Sequence, residues 1–242
     1  MRLTRTLFIS DLHLDEARPD ATARFERFLH EAVPGADALY ILGDLFEYWV
    51  GDDSLSLPLP ARAASLLKDA AAALPTRFMH GNRDFLVARK FSDATGVGLI
   101  EDPTVVELYG TRSLLMHGDT LCTDDHAYQA FRRKVRDPAW QAAALAQPLG
   151  ARVAIARQMR LESEGAKEGK AAAIMDVSPA AVERAFAQTG CSLMIHGHTH
   201  RPGKSVYRVG GRECVRWVLP DWYEGGGYLE VSPEGVRATE VA

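Results

Sequence analysis

Cys191-Ser192-Leu193-Met194-Ile195-His196-Gly197-His198-Thr199-His200 is an apolar run that ends in imidazoles spaced two apart beside a glycine. The run predicts a short buried strand that delivers polar groups at its carboxyl end. In an extended segment, residues two apart point to the same side, so His198 and His200 are expected to reach one common point. One such pair says little, because a buried histidine more often satisfies a hydrogen bond than acts as a ligand. The same construction recurs upstream, however. Leu7-Phe8-Ile9-Ser10 ends at Asp11-Leu12-His13, and Ala38-Leu39-Tyr40-Ile41-Leu42 ends at Gly43-Asp44. Arg77-Phe78-Met79 ends at His80-Gly81-Asn82-Arg83-Asp84, and Ser113-Leu114-Leu115-Met116 ends at His117-Gly118-Asp119.

Helices are predicted between these strands. One spans Asp20 to Val33, with Asp20 as its cap and Pro34-Gly35 as its stop. A second spans Pro60 to Leu74, and a third opens at Ser178-Pro179, a Ser cap with Pro in first position, and closes at Gly190. Val215 to Val241 alternates like hairpin strands. Strands alternating with helices, with polar residues gathered at strand ends, predict an α/β sandwich of layers. Its ligand site is expected beyond the carboxyl ends of the strands. A chain of 242 residues, 47% of them hydrophobic, can bury the core of one domain spanning 1–242.

The stretch 124–170 breaks the alternation and reads as a helical insert. From His126 to Lys170 there are nine basic residues against four acidic ones, so the insert carries about +5 and the remainder about −9. Phe131, Trp140, Leu145 and Met159 are among its apolar residues. They suit either an ordinary hairpin core or the lining of a pocket, and the sequence does not separate the two.

Other functions are disfavoured by composition. A net charge of −4 leaves no general basic surface for nucleic acid. Three scattered cysteines, Cys122, Cys191 and Cys214, fit neither a disulfide framework nor a thiolate zinc site, and suit a reducing compartment. No stretch approaches the ~18 uninterrupted apolar residues of a spanning helix, and no secretion signal is expected, so membrane contact would be peripheral. No obligate protein partner is evident.

The strand ends together supply Asp11, His13, Asp44, Asn82, His117, His198 and His200. Carboxylate, amide and imidazole donors without thiolate suit borderline divalent metals such as Mn, Fe or Zn. Seven donors exceed the needs of one ion and divide between two if a carboxylate bridges them. Such a pair acidifies a water toward neutrality and binds a phosphoryl oxygen.

These blocks, in this order, resemble the signature motifs of the calcineurin-like metallophosphoesterases. The resemblance implies a four-layer α/β/β/α sandwich. It also implies that Asp11, His13 and His200 hold one metal, that Asn82, His117 and His198 hold the other, and that Asp44 bridges them. Many members of that superfamily have His where this chain has Arg83. Arginine stays charged and cannot act as a general acid near neutral pH, but its guanidinium clamps phosphate oxygens. The leaving group is therefore expected to need no proton, as with a phosphate monoester whose second pKa is about 6, so a pyrophosphate bond is the expected target.

The stretch Gly43-Asp44-Leu45-Phe46-Glu47-Tyr48-Trp49-Val50-Gly51-Asp52-Asp53, with Gly81 to Leu86 and Ile174-Met175-Asp176-Val177, is similar to the UDP-2,3-diacylglucosamine diphosphatase family of lipid A biosynthesis. That similarity implies two Mn²⁺ ions and a helical lid formed by the insert. The reaction it implies is attack at the α-phosphorus of UDP-2,3-diacylglucosamine, giving UMP and 2,3-diacylglucosamine 1-phosphate. By position it adds Asp125, Ser163, Lys167 and Lys170 to Asn82, Arg83 and His198 as substrate contacts. At Lys167 the family usually has Asn, which puts that residue's role in question. The basic insert is expected to neutralise the diphosphate and to lean on an anionic membrane surface at the cytoplasmic face of the inner membrane. Phe46, Tyr48 and Trp49 are expected to crowd the site, unless they plug the core, and His80 and His196 to orient neighbouring ligands.

Two rival readings stand beside this one. A metallophosphodiesterase or nucleotidase acting on soluble nucleotides would ignore acyl chains. A non-catalytic scaffold of the same fold predicts missing ligands, whereas all seven are present.

Overall fold

The computed structural model describes residues 4–167 and 176–241. Its strands are β1 (Thr6–Ile9), β2 (Ala38–Leu42), β3 (Thr76–Met79), β4 (Gly98–Ile100), β5 (Thr104–Leu108), β6 (Thr111–Leu115), β7 (Leu193–His196), β8 (Gly203–Val209), β9 (Arg212–Val218), β10 (Gly227–Ser232) and β11 (Gly235–Glu240). The helices are α1 (Pro19–Glu31), α2 (Pro58–Ala73), α3 (Arg89–Thr95), α4 (His126–Val135), α5 (Pro138–Leu145), α6 (Leu149–Lys167) and α7 (Pro179–Thr189). One sheet runs β11-β10-β1-β2-β3-β4 and the other β5-β6-β7-β9-β8. The strands that end in the motif blocks are parallel to their motif-bearing neighbours, β1 to β2, β2 to β3 and β6 to β7. Their carboxyl ends therefore open on one edge of each sheet.

Period-two alternation builds the layers. Leu7, Ile9, Leu39, Ile41 and Phe78 point away from the second sheet and pack with Phe25, Phe28, Leu67 and Phe91 of α1–α3. Phe8, Leu42 and Met79 point the other way and meet Leu115, Leu193 and Ile195 between the sheets. Leu114, Met194 and Cys214 then cover Val182 and Phe186 of α7. The result is the expected α/β/β/α sandwich. All three cysteines are buried and none forms a disulfide among the described residues. Among the described residues, no helix is long and apolar enough to cross a membrane.

Several details differ from expectation. Arg18, not Asp20, is the N-cap of α1, and Asp20 sits in the first turn, where a carboxylate suits the helix dipole. Ser178 precedes α7 without a side-chain capping bond, whereas Gly190 closes it as expected, at φ +69°. The strand-rich tail is shared between the sheets: β10 and β11 pair as a hairpin in the first, while β9 pairs with β8 and β7 in the second. Periodicity does not reveal α3 and β4, which are too short to show a repeat, nor β5 and β8, whose alternating burial is masked by the exposed apolar Val105 and Val206.

The insert is helical, as α4, α5 and α6, but it has almost no core of its own. Among its described residues from His126 onward, Val135 and Arg152 are buried and α5 buries nothing. Its apolar residues are therefore not hairpin core.

Candidate metal centre

The backbone at the strand ends is bent to aim side chains inward. Among the described residues, six non-glycine residues have positive φ, and five are Asp11 (+55°), His13 (+49°), Asp44 (+52°), His198 (+69°) and His200 (+52°). This left-handed region costs an L-residue about 1–2 kcal/mol. Its concentration on expected ligands marks a functional constraint. It also corrects the extended geometry expected for His198 and His200, which point to opposite ends of the site.

At one end, Asp11 Oδ1 lies 3.4 Å from His200 Nε2 and 3.8 Å from His13 Nε2. The two imidazole Nε2 atoms are 3.3 Å apart. At the other end, the amide head of Asn82 lies 3.0 Å from His117 Nε2 and 2.8 Å from His198 Nδ1. Asp44 reaches both, with Oδ2 3.9 Å from His13 Nε2 and Oδ1 3.8 Å from His117 Nε2. All seven expected ligands thus meet in one place.

Donor chemistry and burial fit divalent cations. Asp11, His13, Asp44 and His117 are essentially inaccessible to water. Ligand atoms of Asp11, His13 and His200 lie within 4.8 Å of one another, and so do those of Asp11, Asp44 and His117. Asp11 Oδ2 accepts from Ser10 Oγ at 2.5 Å and from the His198 N–H at 2.8 Å. Its buried Oδ1 accepts no hydrogen bond and faces the imidazoles, as a ligand oxygen would. Neighbouring loops approach closely enough to require glycine. A Cβ on Gly81 would sit 2.1 Å from Asp44 Oδ1, and one on Gly197 would sit 2.1 Å from Asp11 Oδ2.

Electrostatics separate the groups further. Burial pushes the Asp11 carboxyl up, but the imidazoles of His200, His117 and His13 outweigh it and hold the group well below the usual range. Burial lowers His117, yet the Asp44, Asp11 and Asp119 carboxylates overcome it and raise the imidazole to about 9. His198, buried beside that cation, falls to about 4. Titratable neighbours driven this far apart are characteristic of functional sites.

Asp84 braces the loops. Its carboxylate accepts from the backbone N–H groups of Gly81 (2.9 Å), Leu45 (2.8 Å), Asp44 (3.3 Å) and Phe46 (3.4 Å). Burial and the Asp44 charge push it up to about 7. Arg83 turns away from Asp84: its Nε lies 4.0 Å from Asp44 Oδ2, beside the cavity. His80 and His196 contact backbone carbonyls, those of Val87 (2.6 Å) and Gly197 (2.8 Å), and so steady loops rather than ligands. Phe46 is core, tilted against Trp49 and edge-on to Phe91, while Tyr48 and Trp49 face the cavity.

Sequence reasoning passed over four neighbours. Glu47 Oε2 lies 3.1 Å from His13 Nδ1, and Tyr223 stacks on the His13 ring at 5.0 Å. Asp119 is buried and accepts from Tyr128 Oη at 2.5 Å and Arg132 Nε at 2.7 Å. Glu47 and Asp119 stand within the quoted motif blocks, so proximity to a ligand in sequence was the available signal. Tyr223 and Tyr128 offered none.

A cavity of about 830 Å³ extends from these ligands to the underside of the insert. Phe85, Phe131, Trp140, Ile155 and Met159 give it an apolar end, while Arg83, Asp125 and Ser163 also line it. Asp125 additionally caps α4, accepting from the Tyr128 N–H at 3.0 Å. Lys167 closes α6, and Lys170 falls outside the described residues.

Much of the insert's basic charge is spent on seating it against the body. Arg132 pairs with Asp119, Arg136 Nη2 donates to the Gly81 carbonyl at 2.8 Å, and Arg157 Nε donates to Tyr48 Oη at 3.2 Å. Arg152 grips Asp53 and the Val50 carbonyl, and Arg160 pairs with Glu47. Part of the basic excess expected to meet phosphate and membrane is therefore engaged by the body.

The chain is similar in sequence to known proteins. The model of the calcineurin-like phosphoesterases matches residues 4–202. A UDP-2,3-diacylglucosamine hydrolase of Xanthomonas campestris pv. campestris (strain B100) is 52% identical over 98% of this chain and 99% of the relative. A protein of that name from Stenotrophomonas maltophilia (strain K279a) is 50% identical over 95% of this chain and 96% of the relative. Ligand-bearing loops, sandwich and matched sequence agree, and the chain belongs to the metal-dependent, calcineurin-like phosphoesterase family of hydrolases.

Proposed function

We propose that this protein hydrolyses the pyrophosphate bond of UDP-2,3-diacylglucosamine, releasing UMP and 2,3-diacylglucosamine 1-phosphate. The observation that carries this reading is one cavity joining a cluster of phosphoesterase-type ligands to an apolar chamber under the insert. A soluble nucleotide would leave that chamber empty, whereas acyl chains gain about 0.8 kcal/mol per buried CH₂. The names of the half-identical relatives support the same substrate.

In this reading Asp11, His13 and His200 hold one divalent ion, Asn82, His117 and His198 hold a second, and Asp44 serves both. The ions, which we take to be Mn²⁺, supply Lewis acidity and a water acidified toward neutrality. Arg83 clamps the phosphate oxygens and meets charge that builds on them. Because it keeps its proton, the departing group must leave unaided, and a sugar phosphate does so. Asn82 and His198 also face the substrate, and Asp125, Ser163, Lys167 and Lys170 are assigned as its further contacts. The whole span 1–242 acts as one catalytic domain, with 124–170 as its lid. Leu145 and Leu161 of that lid are exposed, as are Arg133 and Lys134, which suits peripheral contact with the anionic cytoplasmic face of the inner membrane.

Metal-stripped protein is expected to release no UMP from the diacylated sugar nucleotide and to recover when Mn²⁺ is restored, with the deacylated nucleotide a much poorer substrate. Equal turnover of the two nucleotides would sink the lipid reading.

A further inference from the structure

One unbroken line of contacts runs from the insert to a candidate metal ligand. His13 is buried, with Nε2 turned toward Asp11 and Asp44. Its other nitrogen, Nδ1, lies 3.1 Å from Glu47 Oε2, an ion-pair distance, and neither of these buried atoms is hydrogen-bonded to any other group among the described residues. The second oxygen of Glu47 is gripped by Arg160 Nε of α6. The loop holds Glu47 in place, since its N–H donates to the Leu14 carbonyl, one residue past His13, at 3.1 Å. Both side chains are shielded from water, Arg160 to 12% and Glu47 to 14% exposure, whereas Arg157 and Glu16 on the same face remain 61% and 60% exposed. A shielded ion pair holds its geometry; an exposed one is screened and contributes little.

A carboxylate facing Nδ1 favours the proton on that nitrogen, which leaves the Nε2 lone pair on the side of Asp11 and Asp44. Tyr223, stacked on the same ring at 5.0 Å, fixes the plane but not the tautomer. We propose that Glu47 is a positioning residue that sets His13 for metal binding, and that Arg160 makes this setting depend on the seating of α6. The insert then does more than roof the cavity: it adjusts the affinity of the Asp11–His13–His200 half of the centre. This inference rests on the metal-binding assignment proposed above, though not on the identity of the substrate.

The test is a Mn²⁺ titration of the full-length, metal-stripped protein without nucleotide, with free Mn²⁺ followed by electron paramagnetic resonance. Wild-type protein is expected to bind two ions. Glu47→Ala should weaken one of them by about tenfold or more, the usual cost of removing a group that orients a ligand. Glu47→Gln keeps an acceptor oxygen and should recover part of that loss; being nearly isosteric, it also carries the test if the alanine variant does not fold. Arg160→Ala should weaken the same ion to a smaller extent, and the double variant should be no worse than Glu47→Ala alone. Gln158→Ala, an exposed change on α6 whose side chain bonds Glu162 of the same helix, should leave both ions at wild-type affinity.

Wild-type affinity in both Glu47 variants would overturn the positioning role. Wild-type affinity in Arg160→Ala, or an equal loss in Gln158→Ala, would overturn the coupling to α6. If the wild-type protein binds no Mn²⁺, the metal assignment falls and this inference falls with it. Failure to hydrolyse the lipid nucleotide, with the titration behaving as expected, would remove only the substrate assignment.

Discussion

The strand-end loops and the insert face the same cavity but are held there by different forces. The loops are fixed by backbone: left-handed turns at five ligands, loop approaches that exclude a Cβ at Gly81 and Gly197, and four N–H groups converging on Asp84. The insert has almost nothing buried and is held mainly by guanidinium groups reaching across to the body. Backbone nesting gives a rigid array with little tolerance for substitution. Long charged side chains are the attachment expected if the insert is the lid proposed above, since few contacts would break when it lifts to admit a bulky substrate.

If that contrast is right, the largest effect comes from the rigid side. Asp44→Ala or His117→Ala should cut turnover by about a thousandfold or more, because the effect of a metal pair on the barrier amounts to several kcal/mol. Near-normal turnover in either variant would mean that the nested loops do not hold the catalytic group. Arg83→Ala should follow, with a loss of about a hundredfold in kcat/KM, the scale of losing one donor to the transition state. Its Mn²⁺ affinity should stay close to wild type. Parallel loss of both would make Arg83 a brace for Asp44 instead of a clamp on substrate.

The two regions also differ in how far the sequence reveals them. The convergence of Asp11, His13, Asp44, Asn82, His117, His198 and His200 is readable because each follows an apolar strand, and strand ends in a layered α/β fold converge. The division of His198 from His200 was not readable. Alternation assumes extended chain, and the positive φ at both residues breaks that assumption without any marker in the side chains. In the insert the sequence displayed charge but not its use. Arg152 meets Asp53 and Arg160 meets Glu47 across separations of 99 and 113 residues, and no local pattern encodes such partners. Phe46 was ambiguous for a related reason: an aromatic beside a ligand is equally at home in the core, where packing against Trp49 and Phe91 places it.

On the insert side, Arg152→Ala probes the tether directly. This guanidinium is buried and paired with Asp53 and the Val50 carbonyl. Its removal should cost about 2 kcal/mol, the range for hydrogen bonds to a charged group. The loss should appear as faster amide exchange through α6, with the strands β1 to β3 unchanged. Uniform loss of protection through the sheets would show that insert and body unfold as one unit and would erase the contrast.

The smallest effect is also the most selective. Phe131 lies on α4, is 39% exposed, and lines the apolar end of the cavity. An aromatic left open to water in the free protein contributes little to folding, so Phe131→Ala should leave thermal stability nearly unchanged. With an acyl chain against it, the same ring should supply about 1.5 kcal/mol, near the lower bound for burying a large apolar side chain. The variant should therefore lose about tenfold in kcat/KM on the diacylated sugar nucleotide. On the deacylated nucleotide it should match wild type, since that substrate never reaches the ring. Equal loss on both would place Phe131 with the rigid array, as a support for Tyr128 and Asp119. A loss confined to the acylated substrate separates the two regions by function: loops for the phosphates, insert for the chains.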